Sequence, residues 1–313
     1  MHKRRLVLLA ALAVVSVAAF LTLGLRGNLA FVLQIRAVKL LALVQVAVSV
    51  ALSTVLFQTV TANRILTPSI MGLDALYLFG QTLLVFLLGG LGYAAIGGGW
   101  KFAAEVLIMI ALAAVLLRPL LTARLDMSLL LLTGVTIGLL FRSLSQLLFR
   151  LLDPNAFAVV QAASFANFNA LRADLTIIGS VVTFAAAALC WHQRHRLDVM
   201  ALGREAAIGL GIDWSRTAAL LLLIVALLVA VSTALVGPVA FFGLLVAALA
   251  ERILGTRRHA VLLPAAALVA IILLVGGQAI FQHLLGSAST LGVVIEFAGG
   301  IAFLLLLYLG SRT

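Results

Sequence analysis

Long apolar runs separated by short polar punctuation dominate the chain. They cover approximately residues 6–25, 40–60, 73–91, 102–117, 129–148, 175–191, 217–233, 236–254, 261–280 and 291–309. A helix needs about 20 residues to cross a hydrocarbon core of about 30 Å. In lipid every backbone N–H and C=O must be bonded inside the protein, so runs of this length predict helices. The pattern predicts an all-α integral membrane protein with about ten transmembrane helices. The first run follows Met-His-Lys-Arg-Arg, a basic start shared with signal peptides. Its length is that of a span, and it is expected to remain in the membrane.

Composition narrows the reading. The 313 residues are 65% apolar and 10% charged, with a mean hydropathy of +1.27. Soluble domains carry about 25% charged residues, and so few polar side chains cannot cover a water-exposed surface of this size. A soluble enzyme is excluded, and one polytopic membrane domain over residues 1–313 is expected. The net charge of +11 does not require nucleic acid. With ten spans and the N-terminus inside, 14 of the 21 basic residues fall on the inner side. That bias matches the retention of Lys and Arg in cytoplasmic loops and places both termini in the cytoplasm. The single cysteine, Cys190, excludes an internal disulfide and a multi-thiolate metal site. Neither His259 nor His283 has a second ligand at helical spacing, so no metal site is expected.

Two places interrupt the apolar pattern without becoming hydrophilic. Residues 61–72 read Thr-Ala-Asn-Arg-Ile-Leu-Thr-Pro-Ser-Ile-Met-Gly. Pro68 disfavours helical geometry at Thr67, Gly72 permits a tight turn, and Thr67 or Ser69 is placed to cap the next helix. Residues 281–292 form the second interruption, with Ser289 or Thr290 as caps between Gly286 and Gly292. Non-helical backbone at membrane depth persists only where protein or a water-filled cavity shelters it. Both segments are therefore candidates for lining a path, with an ordinary interfacial loop as the alternative. Asp74 follows the first break, and Arg142 and Glu296 are costly charges inside spans. They could form a polar wall or gate, or simply pair within the bundle. The Gly-rich stretch from Gly89 to Gly99 is not a phosphate loop, because Trp100 precedes Lys101 and Phe102 follows it. Small residues there suit close helix packing or a turn.

The longest hydrophilic segment spans about 192–216. Its part from 203 to 211 can form two helical turns, which a helix so short holds only with support from a partner or the bundle; a solvated connector is the alternative. The pattern Ala201-Leu-Gly-x-Glu205-x-Ala207-x-x-Leu210-Gly211 resembles the coupling loop of the FecCD family, permease subunits of ABC importers for iron–siderophore complexes, haem and cobalamin. Other matches follow in order: Gln34-Ile-Arg36-x-x-Lys39, Asn63-Arg-Ile-Leu-Thr-Pro-Ser-Ile-Met-Gly-Leu-Asp-Ala75, Leu131-Leu-Thr-Gly134-Val, Gly237-Pro-Val-Ala-Phe-Phe-Gly243-Leu and Arg257-Arg-His259 with Pro264. The chain departs from the family around Ala247 and Ala248, where a Pro-His pair is usual, and at Phe281, where a basic residue is usual.

The resemblance implies a type II ABC importer permease fold with two helix breaks. It implies a second permease subunit, a paralogue in a heterodimer or a copy in a homodimer. Two ATP-binding subunits would carry ATP and magnesium, and an extracytoplasmic binding protein would deliver a ferric siderophore of the catecholate or petrobactin type. The chain itself would bind no cofactor and catalyse nothing. Gly203, Arg204, Glu205, Ala207, Leu210 and Gly211 would dock on an ATPase, and Arg36 and Lys39 would meet the binding protein. Thr67, Pro68, Asp74, Arg142, Ser289, Thr290 and Glu296 would line or gate the path. Haem or cobalamin import stays open as an alternative cargo. A different class, an ion-coupled secondary transporter, would use Asp74, Arg142 and Glu296. An intramembrane enzyme lacks any catalytic set in one span.

Overall fold

The computed structural model describes residues 2–25, 28–121, 127–169 and 171–284, together with 292, 297 and 299–301. In chain order the helices are α1 (His2–Thr22), α2 (Leu29–Thr61), α3 (Leu73–Ala95), α4 (Gly98–Leu121), α5 (Met127–Phe149), α6 (Pro154–Ala163) and α7 (Ala173–His192). They continue as α8 (Arg194–Met200), α9 (Arg204–Gly209), α10 (Trp214–Val236), α11 (Phe242–Leu254), α12 (His259–Ile271) and α13 (Gly277–Leu284). A 3₁₀ turn at Pro68–Met71 precedes α3, and a π turn at Ile272–Gly276 joins α12 to α13. Among the described residues, 8 helical stretches are long and apolar enough to cross a membrane, the last running through the π turn as His259–Gln282. They correspond to the first seven apolar runs and the ninth. The tenth run lies largely outside the described residues, as do Ser289, Thr290 and Glu296.

The eighth run differs from expectation. Instead of one span over 236–254, α10 continues to Val236, the backbone leaves the helix, and α11 begins at Phe242. Gly237 takes φ 100°, ψ 173°, and Pro238 has no N–H to give a helix. The 13 residues of α11 reach only about 20 Å, roughly two thirds of a bilayer core. Its start lies against the middle of α2: a Cβ on Gly243 would meet Val50 Cγ1 at 3.1 Å. Its end meets the start of α1, where Arg5 donates to the carbonyls of Ile253 (2.7 Å) and Leu254 (3.1 Å). A guanidinium at the C-terminus of a helix satisfies orphan carbonyls and favours the negative end of the dipole.

The central pillar is α2, packed against α7, α10, α11 and α12. Its 33 residues begin eleven before the apolar run does. Asn28 caps it, accepting from the N–H of Ala30 (3.1 Å) and Phe31 (3.4 Å). Gln34, Arg36 and Lys39 therefore lie within the helix and do not form a loop before it. Where α2 meets α7, Ser49 Oγ and Thr183 Oγ1 are 3.0 Å apart and Gln45 Nε2 lies 3.3 Å from Thr183 Oγ1. Gln45 is wholly buried, and its Oε1 has no partner among the described residues.

The first break rests directly on the backbone of α5. A Cβ on Gly72 would meet the Gly138 Cα at 3.0 Å and the Gly134 oxygen at 3.1 Å. A Cβ on Gly134 would meet the Met71 Cα at 3.1 Å, and one on Gly138 the Gly72 Cα at 3.2 Å. Gly72 also adopts φ 77°, a conformation glycine takes without steric cost. Gly134 and Gly138 are one turn apart on one face of α5, and only this face can admit the turn. The Gly-rich stretch further along is the site of a kink in α3 at Gly89 (φ 69°, ψ 170°), consistent with the turn reading.

Replacing Gly138 by Val should displace the break and destabilise the purified permease by about 1–3 kcal/mol, the usual range for overpacking. A lowered thermal midpoint in detergent would show this. Gly80→Ala, at a site with no atom within 4 Å of an added Cβ, should leave the midpoint unchanged or raise it.

Candidate translocation path and coupling element

The break before α3 meets the unexpected second break, between α10 and α11, whereas the interruption expected at 281–292 lies largely outside the described residues. Thr67, Pro68, Ser69 and Asp74 from the first, and Val239 and Ala240 from the second, face a cavity of about 20 Å³ that Ser53, Thr54, Ser232 and Thr233 also line. Both chain interruptions thus border hydroxyl side chains, a shelter of the kind that exposed backbone requires. Asp74 is buried there at 7% exposure, and the side chains of Ser69 and Thr233 hydrogen-bond to it. Ser69 is thereby engaged with Asp74 and does not cap α3. Thr67 makes no capping bond either, and the N-cap position of α3 is Gly72 itself. Arg142 follows Gly138 by one turn on α5 and is exposed, and its charge acts on Asp74. The glycine seat therefore places the acid and the base of the path candidates on either side of one contact.

At one end of the bundle the 192–216 segment divides into two short helices. In α8, Leu197 and Met200 are fully buried against α2 and α12. In α9, Ala207 alone is buried, while Arg204 and Glu205 are exposed. Leu202, Ile208 and Leu210 are 64%, 52% and 63% exposed. The Ile212 N–H donates to the Ala207 carbonyl at 3.0 Å, closing α9. Asp213 then starts α10 by accepting from the Arg216 N–H at 3.2 Å. The result is an apolar knob with an acid and a base beside it, standing on a buried foot.

At the opposite end, Arg36 and Lys39 have different surroundings. Arg36 is 7% exposed. Its Nη1 donates to the carbonyls of Phe20 (2.9 Å), Leu21 (2.9 Å) and Leu23 (2.7 Å), closing the C-terminus of α1. Lys39 is half-buried, and its Nζ donates to Asn169 Oδ1 at 2.8 Å. It borders a crevice of about 540 Å³ that includes Gln34, Phe168 and Asn169.

Residues 6–309 match the model of the FecCD transport family. The chain belongs to that family. It is 41% identical to the petrobactin import system permease protein YclO of Bacillus subtilis, over 98% of this chain and 97% of the relative. It is 32% identical to the petrobactin import system permease protein FatC of Bacillus anthracis, over 87% of this chain and 77% of the relative. A metal-chelate type ABC transporter in an inward-facing conformation superposes with a TM-score of 0.86 at 21% identity, covering 98% of this chain and 99% of its own. The permease is thus a multi-pass membrane protein with the type II ABC importer fold.

One polar group in this permease escaped the sequence reading. Glu105 and Lys101, four residues apart on α4 and 4.0 Å from each other, join Gln81 and Tyr93 of α3. Gln81 Nε2 donates to Glu105, Tyr93 Oη to Gln81 Oε1, and Lys101 Nζ to Tyr93 Oη. Two opposite charges at helical spacing where an apolar run begins were the available signal.

Arg36→Gln should lower stability by about 1–3 kcal/mol, the cost of leaving buried carbonyls unsatisfied. The thermal midpoint should fall while Lys39→Gln stays close to wild type.

Proposed function

We propose that this chain is the permease subunit of an ABC importer that carries a ferric siderophore into the cytoplasm. Separate ATPase subunits energise it. The observation that carries this reading is the 41% identity, along almost the whole of both chains, to a petrobactin import permease. Chelates of that chemistry are anionic and large, and they are handled by surfaces shaped around the whole complex. The iron stays within its chelator, and this chain needs no metal ligands or cofactor of its own; ATP and magnesium belong to the ATPases.

In this reading the end that carries α9 faces the cytoplasm, with both termini on that side. Leu202, Ile208 and Leu210 seat in a groove of one ATPase subunit, and Arg204 and Glu205 contact its rim. Gly203 and Gly211, at φ 100° and 85°, bound the docking helix. The opposite end receives the binding protein. Lys39 supplies the positive charge that orients acidic side chains of that partner, an effect felt more in the association rate than in final affinity. Arg36 belongs to the same corner and holds α1 in register with it. A second permease, a paralogue or a copy, completes the path beside α5, with Asp74 and Arg142 on its wall. Thr67 and Pro68 shape the break that holds Asp74, and Ser289, Thr290 and Glu296 are proposed for the same wall from the last span.

The test is uptake of ferric siderophores by proteoliposomes holding this permease with its second permease, ATPases and binding protein. ATP-dependent uptake is expected; uptake driven by an ion gradient without ATP would replace this reading with a secondary transporter. In the same vesicles Glu205→Arg should leave the subunit in the membrane while cutting uptake at least tenfold. Lys39→Glu should slow binding-protein association several-fold, more at low than at high ionic strength.

A further inference from the structure

Helix α12 starts without a cap of its own. Arg258, at its N-cap position, makes no side-chain capping bond. The cap comes instead from α8: Asp198 Oδ1 accepts from the His259 backbone N–H at 2.7 Å and from the His259 ring Nδ1 at 2.8 Å. An ionised carboxylate only accepts, so Nδ1 carries the proton. On the other side of the ring, Nε2 lies 2.8 Å from Thr59 Oγ1 in the last turn of α2. The single hydroxyl proton of Thr59 also reaches the Val55 carbonyl at 2.8 Å, so the two acceptors share it. One buried imidazole, 2% exposed, therefore links three helices through directional bonds.

One further bond extends this link. Gln58, beside Thr59, donates from Nε2 to the Arg64 carbonyl at 2.7 Å, so the end of α2 is fastened to the chain entering the first break. A cavity of about 140 Å³ lies between Thr59, His259, Ala201 and Glu251. The joint is thus tightly bonded on one side and borders open space on the other. Leu197 and Met200 attach α8 to the bundle by packing alone, which permits sliding. Asp198 supplies the direction that packing lacks.

We infer that the Asp198–His259–Thr59 joint transmits movement of the docking helix to α12, to α2 and to the first helix break. The inference rests on the transport reading above and assigns to these residues a positioning role. α9 is too short and too exposed to move the bundle by itself. A displacement of α9 is passed to α8, and through Asp198 it either carries the start of α12 along or breaks a charged cap. Thr59 and Gln58 deliver the same displacement to residues 63–72, where the path narrows around Asp74.

The test uses the complete reconstituted importer and reads two quantities, uptake and ATP hydrolysis, on the same vesicles. Asp198→Ala is expected to leave the amount of assembled complex and its basal hydrolysis within twofold of wild type. Uptake per ATP hydrolysed should fall at least tenfold. Asp198→Asn keeps an accepting oxygen and should recover most of the ratio. Thr59→Ser should behave as wild type and Thr59→Val should resemble Asp198→Ala. If uptake and hydrolysis fall together in proportion to the complex recovered, the joint is structural only and the inference is overturned. An unchanged ratio in Asp198→Ala, with active wild type, removes the joint alone. Wild-type vesicles that show no ATP-dependent uptake of any ferric siderophore remove the transport reading and the joint with it.

Discussion

The need to bond every backbone polar group inside lipid governs this structure more than any single side chain. Continuous helices meet it at no cost in architecture. The two interruptions described here do not, and each is sheltered by a different device. At residues 63–72 the chain presses onto Gly134 and Gly138 of α5, where no side chain keeps the backbones apart. At Gly237 the freed end of α10 is bonded from outside, with the Asn167 N–H donating to the Val236 carbonyl at 2.7 Å. A Cβ on Gly237 would meet the Phe165 oxygen at 3.1 Å, so this seat also depends on a missing side chain. Both breaks then turn their remaining polar surface toward one small hydroxyl-lined cavity. Of the path candidates, Thr67, Pro68 and Asp74 are brought together by this shared shelter.

The same constraint explains where the charges are spent. Helix ends carry orphan donors or acceptors, and several ends here are closed by a side chain from another helix. Arg5 of α1 closes α11, Arg36 of α2 closes α1, and Asp198 of α8 opens α12. Such bonds fix the axial position of one helix relative to another, which packing of Leu and Ala surfaces does not. Among the described residues, their location at the two ends of the bundle leaves the charges of the middle to Asp74 with Arg142 and the Glu105 group. A structure held this way is stiff along each helix and adjustable across the apolar contacts between them.

Much of this was legible in the sequence, because hydrophobic run length reports directly on lipid. Seven of the first eight runs and the ninth became long helices, and the Pro68–Gly72 break and the 203–211 helix stand where residue chemistry placed them. The failures share one cause. Hydropathy registers burial in lipid and is blind to polar side chains that are buried in protein. The apolar run at 40–60 therefore starts after Arg36 and Lys39, which lie inside α2, since a buried guanidinium bonded to three carbonyls resembles a solvated one in a composition profile. The reverse error joined α10's end to α11, because residues 237–241 are apolar enough to hide a break; the Gly237-Pro238 pair was its only mark. Asp198 carried no signal at all, since its partner is sixty-one residues away.

The 192–216 segment divides into one short helix that is buried and one that is exposed. A solvated connector would bury nothing, and a rigid extension of the bundle would expose little apolar surface. Here Leu197 and Met200 are fully buried while Leu202 and Leu210, a few residues on, are more than 60% exposed. An exposed leucine pair flanking a six-residue helix is unfavourable in water, and a helix so short has little stability of its own. It becomes favourable once a complementary surface covers it. The burial of α8 then has a purpose beyond stability: it gives the covered helix a fixed foot in the bundle. An exposed knob on a buried, directionally bonded foot is the form that the proposed coupling role calls for, a part that receives force at one end and delivers it at the other.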